Sequence, residues 1–367
     1  MDLQTFINNN NDYLSKFREL KLNVKTYSQL NLSIITYKRN YKYDMNENNF
    51  IKWCKGSIIN TETNKVICLP PQKCLEEYNL SDSNNTSCVD YENCILQPLI
   101  DGTMINMFYH NDEWLISTRS FIGGKNKWDQ NLSFKKMVDE TIQEKNFNFD
   151  ELNKNNSYTF VLQHKNNRIV TEIVDNNLIL VDEFSPQENK FVDINNNTYN
   201  SFNVIKNNDI NILTNSIGEG YNFQFKGFTL KYPNKRINFI NSEYKIAHDI
   251  KNKCNYNNKL LSYIFLRNNN LLKDYLKYFN DDSDLFNKYR ELIYIMKNEL
   301  HDCYIKYFIK KSIQKKDVPY QLKPLIYDLH TIYKTEKKKI TNEVVNDYLY
   351  NLPEKKICFV LNYYITS

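Results

Sequence analysis

Glycine stops two thirds of the way along this chain. All seven glycines, Gly56, Gly102, Gly123, Gly124, Gly218, Gly220 and Gly227, lie between positions 56 and 227, and none follows. Glycine marks tight turns and places where two backbones approach closely. Its distribution predicts a turn-rich, β-containing first two thirds and a last third of a different kind.

Hydrophobic periodicity points the same way. Gly56-Ser57-Ile58-Ile59 and Lys65-Val66-Ile67-Cys68-Leu69 flank the polar turn Asn60 to Asn64, the pattern of a hairpin. Met104 to Tyr109 and Glu113 to Thr118 flank His110-Asn111-Asp112 as a second hairpin. Tyr158 to Leu162 and Leu178 to Val181 read as buried strands, and Asn131 to Asn146 as a helix between strands. From about Tyr244 the spacing turns helical. Leu260, Leu261, Tyr263, Ile264 and Phe265 begin it, and Leu285, Tyr289, Leu292, Ile293 and Met296 continue it. Leu322, Leu325, Ile326, Leu329 and Ile332 form another face, Val344, Val345, Tyr348 and Leu349 a further one, and Ile357 to Tyr364 closes the chain. The expected fold is α+β: an antiparallel-rich domain over residues 1–245, then an all-α domain over 246–367, with the boundary between Lys245 and Asn258.

The 367 residues suffice for two cores, and a hydrophobic fraction of 41% can fill them. Asparagine runs such as Asn8 to Asn11 and Asn195 to Asn197 read as polar loops produced by AT-rich coding bias. A net charge of +5, with 48 basic residues facing 43 acidic ones, permits nucleic-acid binding without demanding it. Of the eight cysteines, Cys54, Cys68, Cys74, Cys88, Cys94, Cys254, Cys303 and Cys358, no two form a Cys-x-x-Cys pair, which argues against zinc. The polar start Met1-Asp2-Leu3-Gln4 does not read as a signal peptide, so reduced thiols and a cytoplasmic location are expected. No apolar run approaches the roughly 20 residues that span a bilayer, so no membrane association is expected.

Five segments then occur in a telling order. They are Trp53-Cys54-Lys55-Gly56-Ser57-Ile58-Ile59, Leu69-Pro70-Pro71-Gln72-Lys73, and Ile100-Asp101-Gly102-Thr103 with Ile116-Ser117-Thr118-Arg119-Ser120. Phe160-Val161-Leu162-Gln163-His164 through Asn167-Arg168-Ile169-Val170 comes next, and Gly218-Glu219-Gly220-Tyr221 with Lys235-Arg236-Ile237-Asn238-Phe239-Ile240 closes the series. Order and spacing together resemble the nucleotidyltransferase domain of the phage-type RNA ligases and their relatives in large DNA viruses, over a little more than half of the chain. No single motif is specific. The helical tail, notably Pro319 to Tyr333 and Val360-Leu361-Asn362-Tyr363, looks like that of giant-virus members.

In that family a lysine amine attacks the α-phosphate of ATP and becomes nucleotidylated. The resemblance places its Lys-x-Asp-Gly motif on Leu99-Ile100-Asp101-Gly102, so the amine position carries Leu99. The Arg-Gly of the family falls on Lys55-Gly56, its Glu-Gly strand on Glu219-Gly220, and its late Lys-x-Lys on Asn238 and Ile240. An internal acidic position falls on Val161. Four chemical losses point the same way, since a side chain without an amine cannot accept a nucleotidyl group and neutral residues cannot offset developing phosphate charge.

The candidate nucleotide- or RNA-binding residues are therefore Lys55, Lys73, Asp101, Gly102, Arg119, Glu219 and Lys235, with no catalytic residue assigned and no metal ligand. Each has a plainer alternative. Lys55, Lys73 and Lys235 suit a solvated surface, Asp101-Gly102 a turn before a strand, Glu219 a polar loop and Arg119 a surface ion pair. Arg168 reads as a buttress of the fold, and His164 as a satisfied core histidine. In the tail, Lys306, Lys310, Lys311, Lys315 and Lys316 interleave with Tyr304, Tyr307 and Phe308, a mixture that suits RNA phosphates and stacking, or a solvated helix with its rings in the core. Lys337-Lys338-Lys339 reads as a charged loop.

The leading expectation is a degenerate RNA-ligase-like protein that holds RNA, an RNA end, capped or not, or a nucleotide, without covalent transfer. The second is an ATP-dependent ligase, needing ATP and Mg2+, that uses a displaced lysine, with Lys73, Lys231 and Lys235 as the choices. The third is a scaffold that engages a protein through its helical domain. RNA is the expected partner, and the viral resemblance implies the cytoplasm of an infected cell.

Overall fold

The computed structural model describes residues 2–38, 41–45, 48–82, 89–127, 132–196, 199–254 and 258–365. Met1, Cys88, Asn131, Asn197 and Asn257 lie outside the described residues. The chain divides into two compact units, Met1–Ile246 and Ala247–Ser367.

Among the described residues, three sheets build the first unit. One runs β1 (Asn23–Tyr27), β2 (Leu32–Thr36), β3 (Ser57–Asn60), β4 (Lys65–Cys68), all antiparallel neighbours. The β3–β4 hairpin is the first of the two expected from sequence. The central sheet has the order β12-β11-β10-β7-β8-β9. It comprises β7 (Thr103–His110), β8 (Glu113–Thr118), β9 (Phe121–Ile122), β10 (Ser157–Gln163), β11 (Asn177–Ser185) and β12 (Lys190–Val192), with the short β13 (Asn203–Val204) parallel to β11. The third sheet has the order β5-β15-β14-β6, from β5 (Glu76–Asn79), β6 (Ile95–Pro98), β14 (Gly227–Lys231) and β15 (Arg236–Ile240). Antiparallel pairing dominates, as the α+β expectation requires; among the described residues only β5–β15 and β11–β13 run parallel.

The β7–β8 hairpin turns through Asn111 and Asp112, both at positive φ, a conformation that asparagine and aspartate tolerate better than most residues. Two short helices, α1 (Leu3–Asn8) and α2 (Tyr13–Glu19), seat Leu3, Ile7, Tyr13 and Phe17 in a core shared with Ile35, Phe50 and Ile59. Helix α3 (Phe134–Lys145) is capped by Ser133, whose hydroxyl accepts from Lys136 N–H, and ends on Asn146 at φ 51°. It buries Phe134, Met137, Val138 and Thr141 in the core that also takes Ile105, Phe160, Leu162 and Leu180. A fourth helix, α4 (Ile210–Ser216), packs Leu213 beside Leu96, Phe228 and Phe239 of the third sheet.

Helix α5 (Ser242–Lys253) runs across the division between the units. The second unit is otherwise α6 (Lys259–Asn268), α7 (Leu272–Tyr278), α8 (Ser283–Tyr304), α9 (Lys323–Glu336), α10 (Asn342–Asn351) and α11 (Glu354–Ile365). Its buried stripe includes Leu260, Ile264, Met296, Leu300, Leu325, Leu329, Val345, Leu349 and Leu361, the helical spacing expected from the sequence. No helix among the described residues is long and apolar enough to cross a membrane.

Candidate functional site

Residues of the central and third sheets line one cleft of about 350 Å3. Its floor is built where β6 ends. Leu99 N–H donates to the Gly227 carbonyl at 2.8 Å and prolongs the β6–β14 pairing by one residue. Gly227 has φ +139°, and a Cβ there would stand 1.9 Å from the Phe239 carbonyl oxygen, so only glycine lets β14 close on β15. The residue before it, Lys226, thereby lines the same cleft as Leu99 and Ile100.

Asp101 anchors the next turn. It is 5% exposed, and its Oδ2 accepts from the N–H groups of Val170 and Thr171 at 2.9 and 3.0 Å. Its Oδ1 accepts from the Tyr244 hydroxyl at 2.5 Å and stands 3.6 Å from the Lys226 ammonium. Burial alone would raise the Asp101 pKa, but Lys226, Tyr244 and the two N–H donors outweigh it and hold the carboxyl below its usual value. The Tyr244 hydroxyl is pushed up by burial and by Asp101, so it stays a donor. Gly102 has φ +147°, and a Cβ there would meet the Leu162 carbonyl at 2.5 Å, which pins this Asp-Gly turn against β10.

Five cations line the cleft: Lys55, Lys73, Arg119, Lys226 and Arg236. Glu77 is the one carboxylate among the lining residues. Arg236 and the neighbouring Lys231 already share Asp182, at 3.6 and 2.6 Å. Among the described residues, no carboxylate oxygen comes within 4.0 Å of Lys55, Lys73 or Arg119. Burial, then the charges of Arg119 and Lys73, lower the Lys55 pKa to about 8. Arg119 is exposed, yet the surrounding protein and Arg236 also push its pKa down. Lys226 is lowered by burial, against the pull of Asp101. Cations that depress one another in a concave site are relieved by an anion, and phosphate oxygens suit both lysine and arginine.

The four positions where the family resemblance implies charged chemistry, Leu99, Val161, Asn238 and Ile240, all line this cleft. The floor holds two unpartnered polar atoms as well. Gln97 and Thr229 are paired across β6 and β14, are 3% and 1% exposed, and leave Gln97 Oε1 and Thr229 Oγ1 without a hydrogen-bond partner among the described residues. Such atoms are rare in folded proteins unless something else satisfies them. A side chamber of about 290 Å3 shares Pro71, Gln72, Gln97 and Arg236 with the cleft. One wall of it is the stacked pair Trp53 and Phe191, with centroids 5.6 Å apart.

The structure thus brings together Lys55, Lys73, Gly102 and Arg119 in the cleft, with Asp101 buried at its edge. It does not bring Glu219 or Lys235 there. Glu219 is exposed in a turn after α4, and Lys235 lies on the β14–β15 turn, 3.9 Å from Glu76 and over the Tyr232 ring. Glu219-Gly220 opens no strand; the glycine that opens β14 is Gly227, and the residue before it is Lys226. Lys231, a choice for the displaced amine, is tied to Asp182 and to the Val181 carbonyl. His164 is 2% exposed and satisfied by Glu140 and by Asn166 N–H, while Arg168 donates to the Val170 carbonyl.

Sequence reasoning missed Lys226, Arg236, Glu77, Gln97 and Thr229. For Gln97, Thr229 and Lys226 the signal is the pairing of β6 with β14, some 130 positions apart, and for Glu77 it is the pairing of β5 with β15; no local pattern carries either. The family's Mg2+ does not find a donor set here. Glu77 is the cleft's single lining carboxylate, Asp101 spends its oxygens on four donors, and no cluster of three His, Cys, Asp or Glu residues that could hold a metal occurs among the described residues.

No known family pattern matches the chain. In sequence it is 26% identical over 131 residues to a protein of Autographa californica nuclear polyhedrosis virus described as a bifunctional polynucleotide kinase/RNA ligase. That stretch is 34% of this chain and 19% of the viral protein, so the chain spans about a fifth of its relative. Among solved structures it is similar to a protein described as an ATP-dependent DNA ligase from Aquifex aeolicus, with 14% identity and a TM-score of 0.43 over 76% of this chain and 77% of that one. It is also similar to the Naegleria gruberi RNA ligase R4a, at 9% identity and a TM-score of 0.32, over 47% of this chain and 56% of the other. In sequence, then, the likeness is to a protein described as an RNA ligase.

Proposed function

We propose that the unit Met1–Ile246 is an RNA-ligase-like nucleotidyltransferase domain whose cleft holds the phosphates of a 5′-phosphorylated nucleotide, free or at the end of an RNA. The observation that carries this reading is the convergence of Lys55, Lys73 and Arg119, with no carboxylate oxygen among the described residues within 4.0 Å of any of them. Gln97 Oε1 and Thr229 Oγ1 offer the base an acceptor and a hydroxyl on the floor, and the apolar walls of the side chamber favour a flat ring. Isothermal titration tests it. ATP and pyrophosphate should bind competitively, and Arg119→Ala with Lys55→Ala should weaken both by at least tenfold. Unchanged affinity in that variant would remove the cleft from consideration.

A second reading is favoured by Lys226. It lines the same cleft as Leu99, its amine lies 3.6 Å from Asp101, and its pKa is lowered by burial. As the neutral amine it would attack the α-phosphorus of ATP, forming the P–N bond of a phosphoramidate while the Pα–O bond to the leaving group breaks. Pyrophosphate departs with that electron pair, and the surplus amine proton passes to solvent. In this reading the amine has moved to the neighbouring strand, and Leu99 occupies the emptied place.

A further inference from the structure

The second unit carries a stack of rings that runs from its buried Tyr304 out to solvent. Helix α8 widens into a π-turn over Ile305–Ile309, an irregularity that often marks functional sites, and the turn ends near Lys311 at φ 52°. The π-turn places Tyr307 and Phe308 against α9. Phe308 lies face to face with His330, centroids 3.8 Å apart and planes 11° apart, and His330 continues to Tyr333 at 5.9 Å and 17°. Tyr307 and Tyr327 share a hydrogen bond of 3.0 Å between their hydroxyls, and Phe308 meets the Tyr327 ring edge-on at 5.6 Å.

The outer members of this ladder face solvent. Tyr327 is 38% and Tyr333 43% exposed. Six residues of helix separate them, about 9 Å along the axis at the usual rise, which spans two to three nucleotides. Basic charge surrounds the rings. From residue 304 to 334 seven lysines face two aspartates. One of those aspartates, Asp328, is already held by Lys356 and Tyr348, and the other, Asp317, caps its own turn at Gln314. Lys315 stands over the Tyr327 ring at 5.7 Å, while Lys310, Lys311 and Lys316 are exposed and form no ion pair among the described residues.

We propose that this face binds single-stranded polynucleotide. One base continues the ring stack on the open side of Tyr333, another packs on Tyr327, and the phosphates between and beyond them meet Lys310, Lys311, Lys315 and Lys316. Stacking tolerates any base, so affinity is general rather than sequence-specific, and falls with salt. Duplex offers neither free base faces nor this spacing and binds poorly. The proposal stands on the second unit alone and is independent of the cleft.

The test is fluorescence anisotropy on the full chain with a short labelled oligoadenylate bearing a 5′-hydroxyl, as RNA, as DNA and as a duplex. It is run in the natural protein and in Lys55→Ala/Arg119→Ala, so that cleft binding is read separately. Tyr327→Ala/Tyr333→Ala should weaken single-strand binding by about tenfold or more per ring. Tyr327→Phe/Tyr333→Phe, which keeps both faces, should bind within a few-fold of the natural protein. Replacing Lys310, Lys311, Lys315 and Lys316 by alanine should flatten the log–log salt dependence by about 0.7 for each phosphate no longer neutralised. RNA and DNA binding alike places the recognition in rings and phosphates; RNA alone adds the 2′-hydroxyl to it. Binding that ignores the alanine pair, or a duplex bound as tightly as a single strand, overturns the proposal and returns this face to protein partners.

Discussion

Lys226 faces the Asp101 carboxylate at 3.6 Å, next to the backbone position where Leu99 pairs with Gly227. The arrangement gives the cleft a lysine amine and a buried carboxylate that holds it, although the position implied for the amine by the family resemblance is aliphatic. It separates a cleft that only holds nucleotides from one that can take a nucleotidyl group.

If the amine is used, incubation with α-labelled ATP, with and without magnesium, labels the protein through an acid-labile bond. Peptide mapping then finds the adduct on Lys226, and Lys226→Met abolishes it while leaving reversible ATP binding. An unlabelled protein that still binds ATP supports holding alone. An adduct on Lys73 or Lys235 would contradict the assignment.

Asp101, buried at the edge of the cleft, is a structural keystone. Asp101→Ala strands the N–H groups of Val170 and Thr171, the Tyr244 hydroxyl and the Lys226 charge, and should cost about 3 kcal/mol or more in urea unfolding. Its pKa is lower in the folded chain, so its contribution is fully present above the ordinary carboxylate value. That contribution is lost as pH falls from there through the lowered folded value. Acid unfolding of Asp101→Asn should therefore be shallower below pH 4 than that of the natural protein.

Lys55 predicts a pH dependence for ligand binding. Its folded pKa is about 8, below the usual lysine value, so it is charged at pH 7 and loses its proton as pH rises through 8. A bound anion raises that value again. Nucleotide affinity should fall between pH 7 and pH 9.5, with proton uptake near pH 8.5, seen as a dependence of the titration heat on buffer ionisation. Lys55→Arg, always protonated, should remove the fall. The lowered value makes the folded state carry a penalty below pH 8 that is relieved between 8 and the usual lysine range, so stability without ligand should rise over that interval.

Gly227 is the backbone hinge of the floor. Gly227→Ala drives a methyl group to within 1.9 Å of the Phe239 carbonyl and should destabilise the first unit by about 3 kcal/mol or more, read as a lower denaturation midpoint. Gly123→Ala, where nothing lies within 4 Å of the added carbon, should cost less, leaving only the strain of its positive φ.

Much of the architecture was legible because it is local. The β3–β4 and β7–β8 hairpins, helix α3 and the helical second unit follow from patterns inside windows of a dozen residues. The Asp101-Gly102 turn was legible through family resemblance. The third sheet was not, because β6, β14 and β5 find their partners across long stretches of chain. Glu219-Gly220 drew attention through the family resemblance, yet the strand begins at Gly227, and Lys226 came into view only with the register of β6 on β14. Gln97 and Thr229 carry no motif at all; their missing partners appear only in three dimensions.

The most direct test of phosphate binding in the cleft is a crystal structure with a non-hydrolysable ATP analogue at saturating concentration. Its phosphates are predicted within hydrogen-bond distance, about 3 Å, of Lys55, Lys73 and Arg119, with the base over Gln97 and Thr229. An empty cleft under those conditions, or the analogue bound away from these cations, would contradict it.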